Sequence, residues 1–185
     1  LPDSTIEKGS DYFNTVLYNG NGGTQSITGV NFQPDLVWIK GRNDAQYHVL
    51  QNSVTGAGKT LFSNTTTAET GNDNDFISSF DSDGFTVNNT YAGGTNNTVN
   101  GSGKTYAAWT WDAGDNQPST GHSSIHFSGN GAELKLGGFG FSPDLVWIKR
   151  RNAANNNQLF DSVRGSQVLV TNETGAESNY SAYFK

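Results

Sequence analysis

The sequence contains no cysteine and no methionine, which removes disulfides, thiolate chemistry and the most readily oxidised side chains from consideration. Charge is scarce too: Asp, Glu, Lys and Arg make up 15% of the 185 residues. Within that small set, 17 acidic residues face 11 Lys and Arg, for a formal net charge of −6. Backbone phosphates attract a basic surface, so nucleic acid is not expected as a partner. No apolar stretch approaches the ~20 residues of a membrane span, and no apolar segment of the signal type stands at the N-terminus. Membrane insertion is therefore not expected. Position 1 is Leu rather than Met, so a processed or partial chain is expected.

In place of charge the sequence offers Asn, Thr, Ser and Gly, the residues of turns and of uncharged polar strand faces. Its 23 glycines alone would suit a disordered chain. The 12% aromatic content argues the opposite, because disordered chains are poor in aromatics.

Aligned with itself, the sequence shows a duplication. Residues Phe32, Pro34, Asp35, Leu36, Val37, Trp38, Ile39 and Lys40 recur as Phe141, Pro143, Asp144, Leu145, Val146, Trp147, Ile148 and Lys149, an offset of 109. The same offset places Gly20 on Gly129, Gly29 on Gly138, Asn43 on Asn152 and Ser53 on Ser162. After one deletion, Leu61 to Asn64 match Leu169 to Asn172, and Glu69 matches Glu177. The expected organisation is a first repeat over residues 11–116, a linker at 117–122 within a Gly-, Asn- and Pro-rich stretch, and a second repeat over 123–185. The second copy contains no counterpart of Phe80 to Phe85 or of Tyr106 to Trp111. Its core positions are expected to need a continuing chain or a partner to cover them.

The local pattern reads as strand throughout. Val16 to Tyr18 and Ile125 to Phe127 open the two copies, each followed by an Asn-Gly turn. Leu36 to Lys40 is a short apolar run, and the period of two puts Ala107, Trp109 and Trp111 on one face. Short strands separated by turn clusters every 8–12 residues indicate an all-β, antiparallel β-sandwich or jelly roll.

Several motifs invite chemistry. Ser53 to Thr60 ends in Gly58-Lys59-Thr60 like a phosphate-binding loop, but its first glycine is replaced by Ser53, a strand rather than a helix follows, and the second copy lacks the lysine. A β-turn is the expected reading. Asp81 and Asp83, with Asp73 and Asp75 nearby, offer oxygen ligands for Ca²⁺, but the spacing of an EF-hand loop is missing and an Asp83-Gly84 hairpin turn explains them as well. His48, His122 and His126 show no metal-ligand spacing, and Asn157 stands at the position of His48 in the second copy. Asp35 and Asp144 recur beside proline and are assigned to turns. No cofactor and no catalytic residue is expected. Six N-x-[ST] sequons occur, and the matched pair Asn64 and Asn172 suggests a turn role rather than glycosylation.

The aromatics carry more weight. Trp38 and Trp147 lie in apolar strands and are expected in the core. Trp109 and Trp111 share a face, which is either core, the favoured reading, or a stacking platform for a sugar ring. They are the candidate ligand-binding residues.

Read in order, Asp11 to Gly22, Phe32 to Arg42, Leu61 to Asn64, Ser79 to Val87 and Tyr106 to Trp111 resemble a repeat domain of virion proteins from marine tailed bacteriophages, including tail-fibre and appendage proteins. The first copy matches nearly end to end, the second only over its first half. The resemblance implies a lectin-like β-sandwich on the virion surface, outside the cell. It implies other virion proteins as partners, a homo-oligomer by analogy, and a host-surface glycan as ligand. It carries over no enzymatic motif. A free secreted carbohydrate-binding module is the alternative. A glycan-degrading enzyme is a further one, for which Glu133, Glu173 and Glu177 provide no evident carboxylate pair.

Overall fold

The structure is a computed structural model that describes residues 8–72, 75–91, 94–95, 97–112 and 121–179. Asp73, linker residues 117–120 and residues 180–185 lie outside the described residues.

In chain order the strands are β1 (Phe13–Asn19), β2 (Thr24–Thr28), β3 (Leu36–Gly41), β4 (Val49–Asn52), β5 (Leu61–Phe62), β6 (Phe76–Asp81), β7 (Gly84–Asn88), β8 (Thr90–Tyr91), β9 (Gly94–Thr95), β10 (Thr105–Trp111), β11 (Leu145–Ile148), β12 (Gln158–Asp161), β13 (Gln167–Val170) and β14 (Ser178–Asn179). The chain is an all-β sandwich of antiparallel sheets. The first repeat holds a five-stranded sheet, β1-β10-β3-β4-β5, and a three-stranded sheet, β2-β7-β6.

Side-chain alternation explains how the two layers meet. Along β3, Val37 and Ile39 are buried while Leu36, Trp38 and Lys40 are only half-buried. Val37, Ile39, Val49, Tyr106 and Ala108 from the larger sheet join Ile27, Ile77, Phe85 and Val87 from the smaller in one core. Branched aliphatic residues suit this gap because they pack well on a pleated surface. At Gly84, which opens β7 with φ +150°, a Cβ would lie 2.0 Å from the Ile27 carbonyl oxygen. Only glycine permits that approach of β7 to β2.

Three local expectations differ from the structure. The Asn21-Gly22 segment is not a hairpin turn: β1 pairs with β10, and β2 with β7. The chain crosses between sheets there, and buried Asn100 holds the corner by donating to Asn21 Oδ1 at 2.9 Å and to the Gly23 carbonyl at 2.8 Å. Second, a short helix α1 (Asn97–Asn100) interrupts the strands and places Val99 in the core. Four residues are too few to leave a helical period in a sequence. Third, Ile125 to Phe127 form no strand. All seven residues of their counterpart β1 pair with β10, and residues 123–185 contain no counterpart of β10.

The second repeat forms a four-stranded sheet, β11-β12-β13-β14. Trp147 lies opposite Leu159, and Leu159 opposite Leu169, reproducing the register of Trp38, Leu50 and Leu61. Among its described apolar side chains Phe160 and Val168 are buried, whereas Leu145 and Val163 are exposed.

Candidate functional site: the outer aromatic face and the joint between repeats

Strand β10 turns Tyr106, Ala108 and Thr110 inward. Trp109 and Trp111 do share a face, as the period of two requires, but it is the outer face of the five-stranded sheet. The expectation that Trp38 lies in the core is likewise corrected. Trp38 is opposite Trp109 in the register, and the inward positions beside it belong to Val37 and Ile39. Trp147, at 36% exposure, is no core residue either.

The rings form a row across that outer face. Phe13 and Trp111 have centroids 5.0 Å apart, Trp38 and Trp109 5.1 Å. Trp147 meets Trp38 edge-on at 6.0 Å, and His122 stacks on Trp111 at 5.8 Å. The Trp38 indole N–H donates to Ser63 Oγ at 3.1 Å, which fixes the ring's tilt. Rings that are only partly buried suit stacking against a planar or sugar-like ligand surface.

Beside this row the second repeat is joined to the first through residues that end β5 and follow it. Arg151 donates from Nε to Glu69 Oε2 at 2.6 Å and from Nη2 to Oε1 at 3.0 Å, a two-point clasp. Lys149 Nζ donates to the Thr65 carbonyl at 2.9 Å and to Asn157 Oδ1 at 2.7 Å. Asn157, fully buried, donates its amide to the Ser63 carbonyl at 2.8 Å. Burial lowers the pKa of Lys149. Two main-chain bonds complete the joint: Glu69 N–H to the Arg151 carbonyl, 2.7 Å, and Asn155 N–H to the Thr66 carbonyl, 2.9 Å. The sequence reading passed over this set, although Arg42 with Arg151 and Glu69 with Glu177 recur between the copies.

A second cluster lies at the end of β10. Ser53 Oγ donates to Asp35 Oδ1 at 2.6 Å, and Ser162 repeats this bond to Asp144 at 2.7 Å. Both aspartates also accept main-chain bonds from those serines at 2.8 Å, so Asp35 and Asp144 do brace a turn. In the first repeat only, Asp112 adds a second carboxyl. Burial, then its hydrogen bond to Asp35 and that residue's charge, push its pKa up to about 6. A pair close enough to share a proton lies nearer than the roughly 5–10 Å that separates glycosidase carboxylates.

The remaining candidates find structural partners. Asp83 accepts the main-chain N–H groups of Gly29 at 3.1 Å and Asn31 at 2.7 Å. Asp81 accepts the hydroxyls of Ser79 and Thr86, each at 2.8 Å. Asp81 thus braces the β6–β7 pair, and Asp83 ties the two-residue hairpin between them to the segment that follows β2. Among the described residues, no group of three or more His, Asp or Glu side chains is arranged to hold a metal. Residues 53–60 form turns leading into β5, without a helix to present N–H groups to phosphate. Asn64 and Asn172 accept the main-chain N–H groups of His48 and Asn157 at 2.9 and 2.7 Å, a long-range bond that the two repeats share.

A family model described as a domain of unknown function, DUF7483, matches residues 8–125 and again residues 117–184. No curated protein and no solved structure matches the chain.

Proposed function

The chain belongs to the DUF7483 family through both of its repeats, and from that premise we propose that it is a structural or adhesive module of a bacteriophage particle. It is a tail fibre, appendage or capsid decoration that acts by display and binding rather than by turnover. The observation that carries this reading is the row of rings on the outer face of the five-stranded sheet: Phe13, Trp111, Trp109 and Trp38. The core of the first repeat is already filled by Phe62, Phe76, Phe85 and Tyr106 with the aliphatic residues around them, so these four rings stand outside it and leave part of their surface open to a ligand. The ordered motifs that resemble virion repeat domains support the setting. Scarce charge supports it as well, because contacts built on few ions are less weakened by salt.

The proposed ligand is a host-surface glycan, met by Trp109 and Trp111 with the uncharged polar loops around them. A glycan array probed with the intact chain is expected to give binding that Trp109→Ala and Trp111→Ala each reduce without loss of fold. Mass spectrometry of purified particles is expected to find the protein at a symmetric copy number. Its absence from particles would refute the virion assignment. Release of reducing sugar from a bound glycan would replace binding by turnover.

A further inference from the structure

Arg151, Lys149, Asn155 and Asn157 bind the second repeat to residues 62–69 of the first. Each has a counterpart in the first repeat at the offset of 109: Arg42, Lys40, Gln46 and His48. Three of them, Lys40, Gln46 and His48, line an open groove of about 570 Å³ together with Ala45, Tyr47 and Asn64. Residues 62–69 have their own counterpart as well, residues 170–177, with Glu177 at the place of Glu69. From Glu173 to Glu177 that segment is exposed. The joint is therefore made of two different surfaces, and each also exists once more on the molecule, outside the joint.

Groups that reach across the joint in the second repeat fold back on their own loop in the first. Lys149 bonds the Thr65 carbonyl, whereas Lys40 bonds the carbonyls of Gly41 at 2.8 Å and Asp44 at 3.3 Å. Asn155 N–H bonds the Thr66 carbonyl, whereas Gln46 N–H closes on the Asp44 carbonyl at 3.2 Å. Arg151 clasps Glu69, whereas Arg42 is exposed and forms no ion pair among the described residues. His48 is a competent substitute for Asn157. A neutral imidazole offers one N–H donor and one acceptor nitrogen, the pair of roles that Asn157 plays toward Ser63 and Lys149. Asp44, where the second repeat has Ala153, is offset by Lys104 at 3.1 Å.

We infer that a second copy of this chain docks its residues 170–177 onto the Lys40–His48 edge of the first repeat, repeating between chains the joint that links the repeats within one. Glu177 would meet Arg42, and the carbonyls of Thr171 and Glu173 would meet His48 and Lys40. The occupant is argued from continuity with the existing joint, since Lys40 and Arg42 repeat Lys149 and Arg151 at the same offset, with His48 at the place of Asn157. Such a contact is heterologous. Each docking leaves one surface of each kind free, so assembly proceeds head to tail. The inference concerns self-assembly and stands independently of the ligand proposed above.

Sedimentation velocity of the 185-residue chain over a wide concentration range tests it. Association that grows with concentration is expected. Arg42→Glu and Glu177→Arg, both at exposed positions, are each expected to weaken it by at least about tenfold. Glu177 also lies 3.7 Å from Arg164, so Glu177→Gln serves beside Glu177→Arg as the variant that leaves the circular dichroism unchanged. An equimolar mixture of Arg42→Glu and Glu177→Arg alternates native and charge-reversed junctions, so association resumes that neither variant shows alone. The double variant in one chain restores association by reversing the pair. A chain that stays monomeric at millimolar concentration, or association that neither single variant weakens, would overturn the inference.

Discussion

Asn157 donates its side-chain amide to the Ser63 carbonyl across the joint at 2.8 Å, while its own amide oxygen accepts from Lys149 at 2.7 Å. One buried side chain thus satisfies a carbonyl of the first repeat and an ammonium of the second. Its removal takes that donor from the Ser63 carbonyl and leaves half-buried Lys149 with the Thr65 carbonyl as its remaining bond in the joint, and an unsatisfied buried polar group costs about 1–3 kcal/mol. Asn157→Ala is expected to lower stability by about 2–4 kcal/mol in urea unfolding. Asn157→His, copying the first repeat, is expected to recover much of that loss. Equal losses from both substitutions would show that the hydrogen-bonding role is not what matters there.

The Arg151–Glu69 clasp is partly open to water, with side-chain exposures of 38% and 17%. Solvent screening therefore limits its worth to about 1 kcal/mol, near the upper end for exposed pairs, with the two-point geometry in its favour. Glu69→Gln is expected to cost about that much and to raise amide exchange at Asn155, whose N–H bonds Thr66 in the same joint. The loss is expected to shrink in high salt. A salt-independent loss would assign the effect to packing.

Much of the fold was legible in the sequence, because period-two alternation in Leu36 to Gly41 and Thr105 to Trp111 reports strands whatever their partners. Alternation cannot say which face is inner. Trp109 and Trp111 were placed correctly on one face and assigned to the wrong side, since large rings are favoured in cores on average and the register that puts Val37 and Ile39 inside is a long-range property. The strand expected at Ile125 to Phe127 failed for the same reason: a strand needs a neighbour, and residues 123–185 hold no counterpart of β10 for it to pair with. The joint was half-visible. Arg151, Asn157 and Glu69 lay within the aligned repeat, but only the fold shows that a residue of one copy meets the other copy's loop.

Core and outer face are expected to separate clearly on mutation. Phe85 is fully buried in the core of the first repeat, and Phe85→Ala is expected to cost about 3–5 kcal/mol. Trp111 is half-buried on the outer face, so Trp111→Ala is expected to cost about 1–2 kcal/mol, the loss of one exposed-side aromatic contact with Phe13 and partial burial. Thermal unfolding followed by circular dichroism measures both. Equal losses would place Trp111 in the structural core and withdraw it as a binding residue.

The Asp35–Asp112 pair gives the protein a pH response of predictable sign. The pKa of Asp112 is raised to about 6 in the folded chain, against an ordinary carboxylate value of about 3.9 unfolded. Between these values the folded state holds a proton that the unfolded state has released, so stability falls as pH rises from about 4 to about 6 and then levels. His122 acts in the opposite sense: burial lowers its pKa against the opposing pull of Asp35, so its contribution is lost as pH falls below about 6.5. The wild-type curve sums the two. Asp112→Asn removes the carboxyl's share while keeping a donor toward Asp35, and its comparison with wild type isolates that share. The stability advantage of wild type over this variant is expected to shrink steadily from pH 4 to pH 6 and to stay constant above. A difference that does not change over that interval would mean that the two carboxyls share no proton.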